Sequence, residues 1–181
     1  MRQLRQPHAA LADLCDGFFD DAEWVSRCPR IAAADLDEPF RTLLAHREHM
    51  TERLAAYYGK PVELRVLREQ RDPGEYARKI LLTLRGEPTR VELGVVRLNL
   101  AFVTRAVRDE ILASRAPLGD ILIRHGVFRR VSPRWYFSFP PDTPAARELG
   151  GQPAFGRVGT IYCDEEPAID LLEVVTAAGP R

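Results

Sequence analysis

The stretch Tyr76-Ala77-Arg78-Lys79-Ile80-Leu81-Leu82 holds the clearest chemical signal in the chain. It reads as a β-strand. Successive strand side chains point to opposite sides, so Tyr76, Arg78, Ile80, Leu82 and Leu84 share one face and Ala77, Lys79, Leu81 and Thr83 the other. Arg78 thus lies with the larger apolar group. A guanidinium does not shed its proton to escape burial, so an inward arginine requires an anion, either a carboxylate of the protein or one carried by a ligand. Glu173 is the second such residue: alternation along Ile169 to Val175 sets it beside Ile169, Leu171 and Val175. A carboxylate on a buried strand is desolvated, which raises its pKa unless a cation offsets the loss. Arg78 could be that cation in a structural ion pair, or the two could flank a ligand. The pattern alone leaves both readings open.

The elements that must position these residues are bounded first by composition. The chain has 181 residues, 45% of them hydrophobic, enough for one core in one domain over residues 1–181, with residues 1–37 as an N-terminal helical extension. Basic and acidic residues number 26 each and no long block of one sign occurs, which points away from nucleic acid as a partner. Lys60 and Lys79 are the only lysines; arginine is so favoured that most arginines count as solvated surface. No apolar run approaches the roughly 18 residues of a membrane span, and the N-terminus lacks the apolar core of a signal peptide, so a cytoplasmic protein without membrane contact is expected. Cys15, Cys28 and Cys163 form no C-x-x-C pair and are odd in number, as suits free buried thiols. His46 and His49, three apart, have no third ligand cluster and read as surface histidines; no metal is expected.

Along the chain, residues 1–29 read as partly frayed helix and residues 38–58 as amphipathic helix in two pieces, ended by Gly59 as a C-terminal cap. The period then falls to 2. Strands run through Val62 to Leu67, through Arg78, and through Val91 to Arg97, joined by Asp72-Pro73-Gly74 and Gly86-Glu87-Pro88 turns. Helical spacing returns over residues 101–113 and after Pro117. A long aromatic-rich strand spans Val127 to Phe139, Pro140 to Gly156 reads as a surface excursion around a short helix, and two strands close the chain. The expected fold is α+β, a single domain with a six-stranded antiparallel sheet.

Several of these segments, in this order, carry a resemblance. His49-Met50-Thr51-Glu52-Arg53-Leu54, Gly59-Lys60-Pro61-Val62 with the strand to Leu67, Arg78 to Leu82, Pro117-Leu118-Gly119-Asp120-Ile121-Leu122, and Pro167 to Val175 together resemble the chorismate pyruvate-lyase (4-hydroxybenzoate synthase) family across residues 40–175. The resemblance implies a chorismate-lyase-like fold in which helical flaps enclose an aromatic-acid site. It implies that Arg78 holds the ring carboxylate, that Glu173 faces the hydroxyl end of the ring, and that Met50 and Leu118 line the pocket. Without the resemblance, Met50 and Leu118 read as ordinary core. The implied activity is a carbon–oxygen lyase releasing pyruvate from chorismate to leave 4-hydroxybenzoate. Aromatisation drives that reaction, so no cofactor is expected; Arg78 would anchor the substrate and Glu173 would donate or relay a proton.

One departure bears on the substrate. Many family lyases carry a Gly-Arg step on the third strand where Glu92-Leu93 stands here, and Arg90 and Arg97, the possible substitutes, fall on opposite faces by alternation. Two other readings therefore accompany the lyase: a related enzyme acting on a different acid in a specialised biosynthetic pathway, and a non-catalytic module binding a small acid. The second follows from the similarity of this fold to the ligand-sensing domains of some bacterial transcription regulators. Against it, the first sixty residues contain no basic recognition helix or winged hairpin. In every case the partner is a small aromatic or cyclic carboxylic acid.

Overall fold

The structure is a computed structural model that describes residues 6–177. Helix α1 (Pro7–Cys15) leads through a 3-10 turn (Glu23–Arg27) to the short strand β1 (Arg30–Ile31) and a second 3-10 turn (Ala33–Asp35). Helices α2 (Phe40–Leu44) and α3 (Met50–Tyr58) follow, and Gly59 ends α3 in the left-handed region at φ 63°, as a glycine cap does. Three strands come next: β2 (Val62–Asp72), β3 (Glu75–Leu84) and β4 (Arg90–Asn99). A 3-10 turn (Leu100–Phe102) then leads to helices α4 (Arg105–Leu112) and α5 (Leu118–Arg124). The remainder is β5 (Arg129–Phe139), α6 (Pro144–Glu148), β6 (Ala154–Cys163) and β7 (Glu166–Thr176).

The strands form one antiparallel sheet in the order β1-β5-β6-β7-β4-β3-β2. The sheet has seven strands where six were expected. The extra one, β1, pairs only Arg30 with Phe137 and Ile31 with Tyr136; two residues are too few to show a period, so only the neighbouring β5 makes them a strand.

Helices cover both faces. On one, Leu11, Leu14, Phe18 and Trp24 of the leading segment pack with Ala145 and Ala146 of α6 against Leu81, Val95, Phe139, Val158 and Leu172. Leu11 and Leu14 are fully enclosed, and each buried leucine of this kind contributes about 1.5–3 kcal/mol. The segment read as frayed helix therefore belongs to the core. The excursion expected over 140–156 turns inward as well. Thr143 donates to Pro140 O at 2.7 Å and accepts the Ala146 N–H, and the small alanines let α6 approach the sheet closely. Alanines carry little hydropathic pattern, and the inward turn is invisible in sequence for that reason.

On the other face α2 and α3 pack against Ile80, Leu82 and Val175, while α4 and α5 pack against Leu98, Ile161, Ile169 and Leu171. Both faces of β3 are consequently buried. Arg78 points to the α3/α5 side and Lys79 to the α1 side, where its Nζ donates to Phe18 O at 3.0 Å, pairs with Glu148 at 3.3 Å and stands 4.5 Å from the Phe19 ring centre. Cys15, Cys28 and Cys163 are free and buried, as expected; burial raises all three thiols, Cys28 to about 12 and Cys163 to about 11.

Candidate functional site

Between the sheet and helices α3 and α5 lies a cavity. Its floor is Arg78, Ile80 and Leu82 of β3, Glu92, Gly94 and Val96 of β4, and Leu171 and Glu173 of β7; its roof is His49, Met50 and Thr51 at the start of α3 and Pro117, Leu118 and Gly119 at the start of α5. The fold thus brings Met50, Arg78, Leu118 and Glu173 to a single enclosure. About 60 Å³ is open to the centres of water-sized molecules, and no Phe, Tyr or Trp ring is among the lining residues. Aliphatic walls of this size suit a small molecule.

Arg78 is 2% exposed. Its Nη2 donates to Ala116 O at 3.2 Å, and its Nη1, equally buried, has no hydrogen-bond partner. Burial lowers the guanidinium from its ordinary range, opposed by the neighbouring Tyr76 phenol and by Glu69. Glu69 does not pair with Arg78: it accepts from Tyr76 Oη at 2.8 Å and from Arg71 Nη2 at 2.9 Å, and Ser114 Oγ also donates to it. Nor does Glu173 pair with it. Thr51 Oγ1 and Glu92 Oε2 are likewise buried and unpartnered, so three polar atoms in one cavity lack partners. Buried polar groups are normally satisfied, and such a cluster marks a place for a ligand or ordered water.

The register sets the spacing. Arg78 lies opposite Val96, Glu173 opposite Gly94, and Glu92 opposite Leu82 and Val175. Glu173 and Glu92 thus lie two and four residues along from the row of Arg78, on the order of 7 and 13 Å at about 3.3 Å per residue. The cavity has a cationic end and a carboxylate end.

Arg157 on β6, opposite Glu173 in register, escaped the sequence reading. It is fully buried. Its Nε donates to Glu173 Oε2 at 2.5 Å, Nη1 to Leu44 O at 3.1 Å and His46 O at 2.8 Å, and Nη2 to Glu48 O at 3.3 Å. One guanidinium therefore neutralises Glu173 and ties down the loop between α2 and α3. The signal was present in the alternation of Phe155, Arg157, Gly159 and Ile161, but it was lost among the many arginines and the flanking glycines. Arg90 and Arg97 do not reach the cavity: Arg90 Nη1 donates to Glu148 O at 2.8 Å, and Arg97 bonds Asp16 O and lies over the Phe18 ring.

Glu92, noted in sequence only as a departure, is 3% exposed. Desolvation raises its carboxyl well above the ordinary range, the nearby Glu173 charge adds to this, and Arg157 opposes it. His46 and His49 are not surface residues. His49 is buried and accepts from Arg129 Nε at 2.6 Å; His46 bonds Leu43 O at 2.7 Å and lies beside Arg157. Burial, reinforced by these guanidinium groups, lowers both to about 4. Among the described residues no group of three or more His, Cys, Asp or Glu is arranged to hold a metal, and no helix is long and apolar enough to cross a membrane.

A sheet roofed by helices over a cavity is also the fold found by comparison with solved structures. PhnF from Mycobacterium smegmatis matches with a TM-score of 0.53 and 18% identity over 70% of this chain and 63% of that one, so this chain spans less than two thirds of PhnF. The effector domain of PhnF matches with a TM-score of 0.52 and 20% identity over 71% of this chain and 87% of the domain. A ligand-binding domain from Bordetella bronchiseptica, assigned to the GntR family of transcriptional regulators, gives 0.48 and 17% over 65% and 83%. No protein-family profile matches, and no curated protein does.

These neighbours correct the enzymatic expectation. None of them is described as a lyase, and the PhnF match is to an effector domain, so the reading of this chain as a carbon–oxygen lyase acting on chorismate, with its 4-hydroxybenzoate and pyruvate, is withdrawn. The geometry gives the physical side of the correction. Glu173, the expected proton donor, is engaged by Arg157, and Glu92-Leu93 stand in place of the Gly-Arg step that would have supplied a cation.

Proposed function

We propose that this chain is a non-catalytic module that binds a small monocarboxylic acid, and that its occupancy serves a transcription regulator, with any contact to DNA made by a separate domain. The observation that carries the reading is Arg78, buried in an apolar cavity with Nη1 unpartnered and no carboxylate paired to it. A charge in that position is stabilised by an incoming anion through charge-assisted hydrogen bonds. A single available guanidinium edge with no second cation on the cavity wall suits a monoanion better than a phosphate dianion. Met50, Thr51 and Leu118 would close over the ligand. The likeness to the effector domain of PhnF supports the fold that this role needs.

The test is a thermal-shift and calorimetric survey of small monocarboxylates against the wild-type protein and Arg78→Gln. Wild type is expected to be stabilised by at least one acid, by about 2.7 kcal/mol at a hundredfold excess over Kd, and so to melt higher. The variant is expected to stay folded and lose that response. An equal response in Arg78→Gln, or none in wild type, overturns the reading.

A further inference from the structure

The carboxylate end of the cavity says what the other end of the ligand is. Glu92 Oε2 is buried and has no partner, and Glu92 lines the cavity. The side chain folds over Gly94, where a Cβ would come 3.3 Å from Glu92 Oε1. Directly across from Gly94, Glu173 already uses Arg157, and Arg157 sends three further hydrogen bonds to carbonyls between α2 and α3. Among the lining residues no arginine or lysine stands at this end to pair with Glu92 or with a second anionic group.

We infer that Glu92 is a specificity-determining residue: the cavity takes a monocarboxylate bearing a neutral hydrogen-bonding group, a hydroxyl, carbonyl or amide, remote from its carboxylate, and excludes a dicarboxylate. This rests on the proposed binding of an acid at Arg78. A neutral carboxylic acid both donates and accepts, and it satisfies such a group without a counter-ion. Desolvation keeps Glu92 in that form. A second ligand carboxylate would be desolvated beside the Glu92 oxygens, and Arg157, already paired with Glu173, does not line the cavity to receive it. The aliphatic lining, Leu64, Ile80, Leu82, Val96 and Leu171, demands an apolar spacer between the two functional ends.

The test measures binding of two matched trios by calorimetry at neutral pH. One trio is pentanoate, 5-hydroxypentanoate and glutarate; the other is cyclohexanecarboxylate, 4-hydroxycyclohexanecarboxylate and cyclohexane-1,4-dicarboxylate. In at least one trio the hydroxy acid is expected to bind roughly tenfold or more tightly than both the unsubstituted acid and the diacid. Glu92→Gln, which also donates and accepts, is expected to keep that preference, and Glu92→Leu to erase it. Arg78-dependent binding in which the diacid equals the hydroxy acid, or in which Glu92→Leu keeps the preference, overturns this inference and leaves the binding module standing. Absence of any Arg78-dependent binding across both trios overturns the inference and the reading beneath it together.

Discussion

Two buried arginines on the same face of the sheet are expected to behave oppositely when removed. Arg78 has no carboxylate partner, so Arg78→Met sheds an uncompensated desolvated charge. The unliganded variant is expected to unfold in urea at the wild-type midpoint or above it. Arg157 sits in an ion pair with Glu173 and holds three backbone carbonyls. Arg157→Met leaves the Glu173 side chain, 14% exposed, unpaired, and urea unfolding is expected to register a loss of about 3–5 kcal/mol. A large loss for Arg78→Met would mean that its charge is neutralised within the protein. Arg78 stood out in sequence because the run from Tyr76 to Leu84 alternates cleanly, and its orientation follows from that alternation. Whether its anion was Glu173 could not be read there, because strand pairing, not strand pattern, gave Glu173 to Arg157.

The roof of the cavity is α3 and α5, and His49 holds them together. Its ring packs on Gly119, where a Cβ would fall 2.9 Å from the His49 Cγ, and its Nε2 accepts from Arg129. Gly119→Ala is therefore expected to lower stability by about 1–3 kcal/mol by overpacking and to weaken acid binding, both readable by thermal shift. The acceptor role requires a neutral imidazole protonated on Nδ1. Because His46 and His49 fall to about 4 in the fold from an ordinary 6.5, the unfolded chain takes up protons first as the pH drops. Their contribution to stability is complete above about pH 6.5 and is lost progressively down to about pH 4. Urea unfolding across that window is expected to show a decline that is shallower in His49→Gln, provided the variant keeps the Arg129 contact. The helices themselves were legible from 3.6-residue spacing and from Gly59. The burial of His49 was not, since it depends on α5 meeting α3 across more than sixty residues of chain.

At the scale of the molecule, a sheet clad on both faces places the cavity between the strands and the roof of α3 and α5. Amide hydrogen exchange in α3 and α5 is therefore expected to slow on addition of an acid that binds there, while β6 and β7, already paired on both sides, change little; uniform slowing across the sheet would argue against binding beneath the roof. The sequence by itself determined the α+β class, the strand order along the chain from β2 onward, the residues that share a face of β3 with Arg78 and the free buried thiols. Each of those follows from local period, turn chemistry or residue count. Only the tertiary structure decided that β1 completes a seventh strand, that α1 and α6 form a second layer, that Arg157 takes Glu173, and that Glu92 faces the same cavity as Arg78. These depend on which strands and helices become neighbours, and register between segments far apart in the chain leaves no periodic mark within either one.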